Sequence, residues 1–149
     1  MSGQISKNQK EREAWVIFSG EADLPWLKIL KPGFRHCFLI VRDKAHWIAI
    51  DGLSSHLEIS VLKVDRFFDL PGWFEKQGLT VVKATSTRHK NLKQTAPIGL
   101  FTCVEVIKRF LGIRRRLIIT PYQLYKRLTA SEKNTRPAVN NPSFQAKQT

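Results

Sequence analysis

The apolar residues of this chain come in short runs. The longest, such as Cys37–Val41 and Trp47–Ile50, are strand-sized and far below the roughly 20 residues a membrane-crossing helix needs. A chain built this way hides its apolar surface by laying strands side by side. Phe34–Val41 and His46–Asp51 are rich in β-branched and aromatic residues, and the polar Arg42–Ala45 between them reads as a turn. Asp51-Gly52 closes the second strand with a turn signal. Leu57–Val64 alternates in part and extends the meander, Ala14–Phe18 precedes it and ends at Ser19-Gly20, and Leu79–Ala84 follows. Each broken by proline and glycine, Glu21–Gly33 reads as a loop with a helical turn and Asp65–Gly78 as a helical turn followed by a loop.

The periodicity then changes. Val104, Ile107, Phe110 and Leu111 have helical spacing over Cys103–Leu111, and Gly112 is a stop signal. Thr120-Pro121 opens a last helix through Leu128, with threonine as N-cap and proline at the first helical position. Strands first and helices afterwards predict an α+β fold, an antiparallel sheet packed against helices. The 149 residues suit one domain. The reading is a polar flexible leader over 1–13, a single domain over 14–128 and a disordered tail over 129–149. No apolar stretch marks a standard secretory signal in Met1–Glu13. Two cysteines are too few for a disulfide framework, which points to a reducing compartment or to cysteine chemistry.

Charge is the outlier, with 25 Lys and Arg against 12 Asp and Glu, a net +13. Most of it lies between Lys83 and Arg127, where Glu105 is the one acid. Lys108, Arg109, Arg114, Arg115, Arg116, Lys126 and Arg127 are the candidate polyanion-binding residues. Such a face attracts nucleic acid, anionic glycopolymers or membrane surfaces. A run of cations is also an ordinary solvated face, and no nucleic-acid-binding motif accompanies it.

The strongest local signal for chemistry is Phe101-Thr102-Cys103-Val104-Glu105. Thr102 with Glu105 three residues on is a capping box, which places Cys103 at the first helical position. Unpaired amide hydrogens and the positive end of the helix dipole favour a thiolate there. The competing reading is a small buried apolar residue starting a core helix. A nucleophilic cysteine needs a base, and His36 is the best candidate, mid-strand with Phe34, Phe38 and Ile40 on its own face. A turn centred on Asp43-Lys44 places Asp51 directly opposite His36, with Cβ atoms about 4.5–5.5 Å apart. A carboxylate there fixes the imidazole tautomer and stabilises the imidazolium. Asp51 also reads as a turn-capping residue before Gly52, and His36 without a partner as a satisfied core histidine.

A histidine-bearing strand, a second strand with a polar residue and a later cysteine at a helix start resemble the circularly permuted papain-like hydrolases, relatives of the NlpC/P60 fold in which His precedes Cys. Gly33–Phe38 and Thr102–Gly112 also resemble small proteins encoded by phages and prophages. The resemblance spans roughly residues 14–128. It implies Cys103 as nucleophile, His36 as general base and Asp51 as orienting residue, with an amide or ester bond, often in a peptidoglycan peptide, cleaved through an acyl-enzyme. It implies no cofactor, and a cytoplasmic or virion-associated location. The chain departs from the pattern in having no evident glutamine or asparagine before Cys103 for an oxyanion hole. The alternative is a non-catalytic basic nucleic-acid-binding or virion-associated module on the same fold; a third reading is a structural protein with a merely buried Cys103.

Other residues carry less. Cys37 adjoins His36 but faces the opposite side of a regular strand, so it reads as core. His46 is a weaker alternative base. His56 and His89 sit in polar loops, and the spacing of histidines and cysteines matches no zinc motif. Trp15, Trp26, Trp47 and Trp73 read as core or cleft-wall residues.

Overall fold

A computed structural model of the chain describes residues 13–21, 28–53, 56–85, 103–115 and 117–135. The strands are β1 (Glu13–Ser19), β2 (His36–Asp43), β3 (His46–Gly52), β4 (Leu57–Leu62) and β5 (Thr80–Thr85); the helices are α1 (Leu70–Lys76), α2 (Cys103–Leu111) and α3 (Pro121–Thr135). The five strands form one antiparallel sheet in the order β4-β3-β2-β1-β5. The fold is α+β, as the change of periodicity predicts.

β4 and β5 are opposite edges, so the chain crosses one face of the sheet between them, and α1 lies in that crossing. Asp69 caps α1 by accepting from the Gly72 N–H at 3.1 Å. Leu70 and Phe74 pack on Ile17, Ile40 and Trp47. The other face carries Val16, Phe18, Leu39 and Val82 against Val104, Ile107 and Leu111 of α2 and Leu124 of α3. Central strands buried on both faces explain why β1 and β2 read as continuous apolar runs rather than alternating ones. α2 packs on β2 and β3 and leaves Leu57, Ile59 and Val61 of β4 exposed.

Both ends of the α2–α3 connection follow local rules. α2 stops at Gly112, whose φ of 71° suits only glycine well. The Ile113 N–H reaches the Lys108 carbonyl at 2.8 Å and the Gly112 N–H the Arg109 carbonyl at 3.3 Å, a Schellman closure. At the start of α3 the Thr120 hydroxyl accepts from the Gln123 N–H, and the Gln123 side-chain oxygen accepts from the Thr120 N–H at 3.1 Å. Tyr125 and Tyr122 pack on Phe34, and Tyr125 also on Phe18, which pins α3 to the sheet.

Several boundaries differ from expectation; β2 begins at His36 rather than Phe34, and β4 ends at Leu62 rather than Val64. Glu13, placed in the leader, begins β1 and bonds Arg42 and Lys83 on the flanking strands. The helical turn expected in Asp65–Gly78 is present as the capped α1, but it follows the loop residues rather than preceding them. The last helix runs on to Thr135, seven residues beyond Leu128; Thr129 and the polar residues after it need no apolar partner once Pro121–Leu128 has nucleated the helix. The leader before Glu13 and the tail after Thr135 lie outside the described residues.

Candidate active site

Cys103, His36 and Asp51 come from a helix start and two adjacent strands, and they meet at one end of the sheet. The His36 Nε2 lies 2.8 Å from the Asp51 Oδ1, with the two side chains 23% and 28% exposed. This contact leaves Nδ1 as the ring nitrogen free to face the Cys103 sulfur, and the imidazole and the thiol shift each other's titration. Phe38 stacks beside the imidazole, with ring centres 6.4 Å apart, and is itself held by Phe74 of α1. The imidazole is therefore oriented by a carboxylate on one side and an aromatic ring on the other.

The route to this contact differs from the expected one. β2 and β3 pair Asp43 with His46 and Leu39 with Ile50, so the hairpin turn is Lys44-Ala45, one residue later than Asp43-Lys44. Continuing that register puts Phe38 opposite Asp51, and His36 is its diagonal neighbour. The offset is two residues, which keeps both side chains on one face. A diagonal pair is within reach of a long ring, and the bond forms.

Gly52 lets Cys103 approach this pair. A Cβ on Gly52 would lie 2.9 Å from Val106 Cγ2 and 3.0 Å from the Cys103 Cα. The end of β3 thus touches the backbone of the first turn of α2, which only a missing side chain permits. Cys103 is half-buried, with the dipole and amide hydrogens of α2 behind it.

The electrostatics favour a charged pair. The Cys103 thiol is lowered to about 5 by a hydrogen bond from the Cys37 side chain, against opposing burial, with further lowering by His36. Burial pulls the His36 imidazole down, but its bonds to Asp51 and Cys103 outweigh this and push it up to about 10. Between those values the site is a thiolate beside an imidazolium. Burial, then the contact with Cys103, pushes the Cys37 thiol well up, so it remains a donor.

Cys37 is the residue that strand geometry missed. It does face away from His36, into the α2 side of the core. Cys103 sits at the sheet end, where Gly52 admits its backbone and where both Cys37 and His36 influence its thiol. No signal in the sequence marks this, because alternation describes a strand's middle and not its end.

The pair should leave a signature in stability. An unfolded imidazole near 6.5 and thiol near 9.0 together hold the same number of protons between those values as the folded pair. Stability is therefore flat across that window. As pH falls from about 6.5 toward 5 the unfolded state gains its imidazole proton first, and stability drops. As pH rises from 9.0 toward 10 the unfolded thiol ionises while the folded imidazolium persists, and stability drops again. Denaturation midpoints from pH 4 to 11 should show both shoulders in the wild type and weaker ones in Cys103→Ser. Superimposable curves for the two proteins would remove the ion pair.

The remaining candidates separate. His46 pairs with Asp43 at the far end of the hairpin and is exposed, so it takes no part. His56 is exposed; His89, Trp26, Thr102 and Arg116 lie outside the described residues. Trp47 is core, Trp15 packs on it, and Trp73 is exposed. Of the cations proposed for a polyanion, Lys108 is corrected: it is 5% exposed, and its ammonium donates to Glu105 at 2.9 Å and to the Ile118 carbonyl at 3.2 Å. Arg109 also bonds Glu105, at 3.2 Å. Burial raises the Glu105 carboxyl, but the two cations outweigh this and lower it. Arg114, Arg115, Lys126 and Arg127 are exposed.

Among the described residues no group of three or more His, Cys, Asp or Glu is arranged to hold a metal ion, and no helix is long and apolar enough to cross a membrane. A depression of about 310 Å³ runs beside β5, lined by Trp15, Pro71, Thr80, Lys83 and Tyr125 among others; none of the three site residues lines it. Comparison with family models, with curated proteins and with solved structures found no match to this chain.

Proposed function

We propose that the chain is a thiol hydrolase of permuted papain-like architecture, cleaving an amide bond in a peptide or peptidoglycan peptide through an acyl-enzyme on Cys103. The observation that carries this reading is the imidazole of His36, bonded to Asp51 at one nitrogen and coupled to the Cys103 sulfur. A buried structural cysteine needs no such arrangement.

The thiolate of Cys103 attacks the carbonyl carbon. The developing oxyanion lies near the start of α2, where the Cys103 backbone N–H is one donor. The His36 imidazolium gives its Nδ1 proton to the leaving amine, then takes a proton from water as that water attacks the thioester. Asp51 keeps Nε2 protonated and the ring in place throughout.

Incubation with an activated acyl ester, then with peptidoglycan, should leave an acyl group on Cys103, seen by intact mass and peptide mapping. Cys103→Ala should carry none. Acylation spread over lysines and unchanged in Cys103→Ala contradicts the proposal. The exposed Arg114, Arg115, Lys126 and Arg127 support polyanion binding as a second reading, which requires duplex DNA affinity that falls steeply with salt; salt-independent binding ends it.

A further inference from the structure

The proposed hydrolysis leaves one nucleophilic group unused, the Cys37 thiol. Its side chain is fully buried on the α2 face of β2, where an isolated thiol would be an inert apolar residue. Cys37 is not isolated. Continuing the β2–β3 register sets Cys37 opposite Gly52, where a Cβ would lie 3.0 Å from the Cys103 Cα. The packing of α2 on β2 thus gathers the chain's two cysteines into one core cluster, both as free thiols.

The two sulfurs are unequal in the way a two-step oxidation requires. Cys103 is half-buried and meets solvent; Cys37 does not. Cys103 is the thiolate and Cys37 the protonated partner. An oxidant entering the site meets the half-buried thiol first, and the product forms beside the buried one.

We propose that Cys103 and Cys37 are a hydroperoxide-reactive dithiol site, in which a peroxide oxidises Cys103 and Cys37 closes an intramolecular disulfide. The proposal rests on the reading of Cys103 as a thiolate nucleophile, and not on amide cleavage. In the first step the Cys103 sulfur attacks the terminal peroxide oxygen. An S–O bond forms, the O–O bond breaks, and the departing hydroxide or alkoxide takes a proton from the His36 imidazolium. Cys103 is now a sulfenic acid. In the second step the Cys37 sulfur attacks that sulfur, the S–S bond forms, and the hydroxyl leaves as water with the Cys37 proton. Two thiols are oxidised by two electrons, and one hydroperoxide is reduced. The disulfide blocks the nucleophile reversibly and forestalls its irreversible oxidation.

The test treats the full chain with a small molar excess of hydrogen peroxide, then denatures and alkylates it. Wild type should lose both free thiols, stay a monomer on a non-reducing gel and yield a Cys37–Cys103 linked peptide, about 2 Da lighter than the paired thiols. Dithiothreitol should restore both thiols. Cys37→Ala and Cys37→Ser should instead hold Cys103 as a dimedone-reactive sulfenic acid that passes to sulfinic acid. A wild-type protein whose Cys103 resists peroxide, carries dimedone or sulfinic acid with Cys37 still free, or links between chains overturns the proposal. Acyl transfer read on the same preparation keeps the two readings apart. A disulfide without acylation sinks the hydrolase and leaves the dithiol site, whereas acylation without a disulfide does the reverse.

Discussion

His36→Ala should lower the rate of Cys103 acylation by a peptide anilide, whose leaving amine must be protonated, by on the order of 10⁴-fold. The ring has two roles in that reaction, and alanine removes both. It supplies the positive charge beside the sulfur, which with the Cys37 hydrogen bond holds the thiol at about 5. It also carries the proton that the leaving group needs. Loss of charge alone would be offset by working at high pH, where any thiol ionises; loss of proton transfer would not. The rate deficit should therefore shrink as pH rises toward 10 but never close. The imidazole is only partly buried and its removal leaves a small polar gap, so the fold should tolerate the change. A variant with a near-normal rate would show that the contact with Asp51 and Cys103 is structural.

Gly52→Ala should do smaller but measurable damage without touching a chemical group. The new methyl meets Val106 Cγ2 at 2.9 Å and the Cys103 Cα at 3.0 Å. Val106 can turn; the helix backbone cannot without shifting. Overpacking of this kind costs about 1–3 kcal/mol of stability. The first turn of α2 is also what sets the sulfur against the imidazole, and a displacement near 1 Å costs on the order of 10²-fold in rate. Thermal unfolding and iodoacetamide alkylation at pH 6.5 measure the two effects separately. Normal stability with normal alkylation would mean that the approach of β3 to α2 does not position the nucleophile.

Much of this geometry is readable from the amino acids alone. Strand-sized apolar runs predict β1 to β5, and the Cys103–Leu111 periodicity with Gly112 predicts α2 at both boundaries, because a left-handed glycine and a helix start are local decisions. The His36–Asp51 pairing is legible for a subtler reason. The turn lies one residue later than expected, and in a hairpin that shift moves the register by two. Parity is preserved, so residues expected on one face stay there, and a diagonal contact replaces a direct one.

What sequence does not show is set by packing between distant segments. Cys37 comes beside Cys103 only because α2 docks at the end of the sheet, against Gly52. Lys108 looks like one more surface cation until the chain after Gly112 folds back and offers it the Ile118 carbonyl. The close approach at Gly52 is likewise invisible, since Asp-Gly serves equally well as an ordinary turn. The continuation of α3 to Thr135 escapes composition because the extra turns carry little apolar content.

The most direct measurement is the rate of iodoacetamide reaction at Cys103 from pH 4 to 10, in wild type and in His36→Ala. A thiolate held by an imidazolium predicts a wild-type rate that rises around pH 5 and is level through neutrality, with the rise moved toward the free-thiol value of roughly 8.5 in the variant. A wild-type profile that rises only above pH 8 and coincides with the variant's would contradict the account.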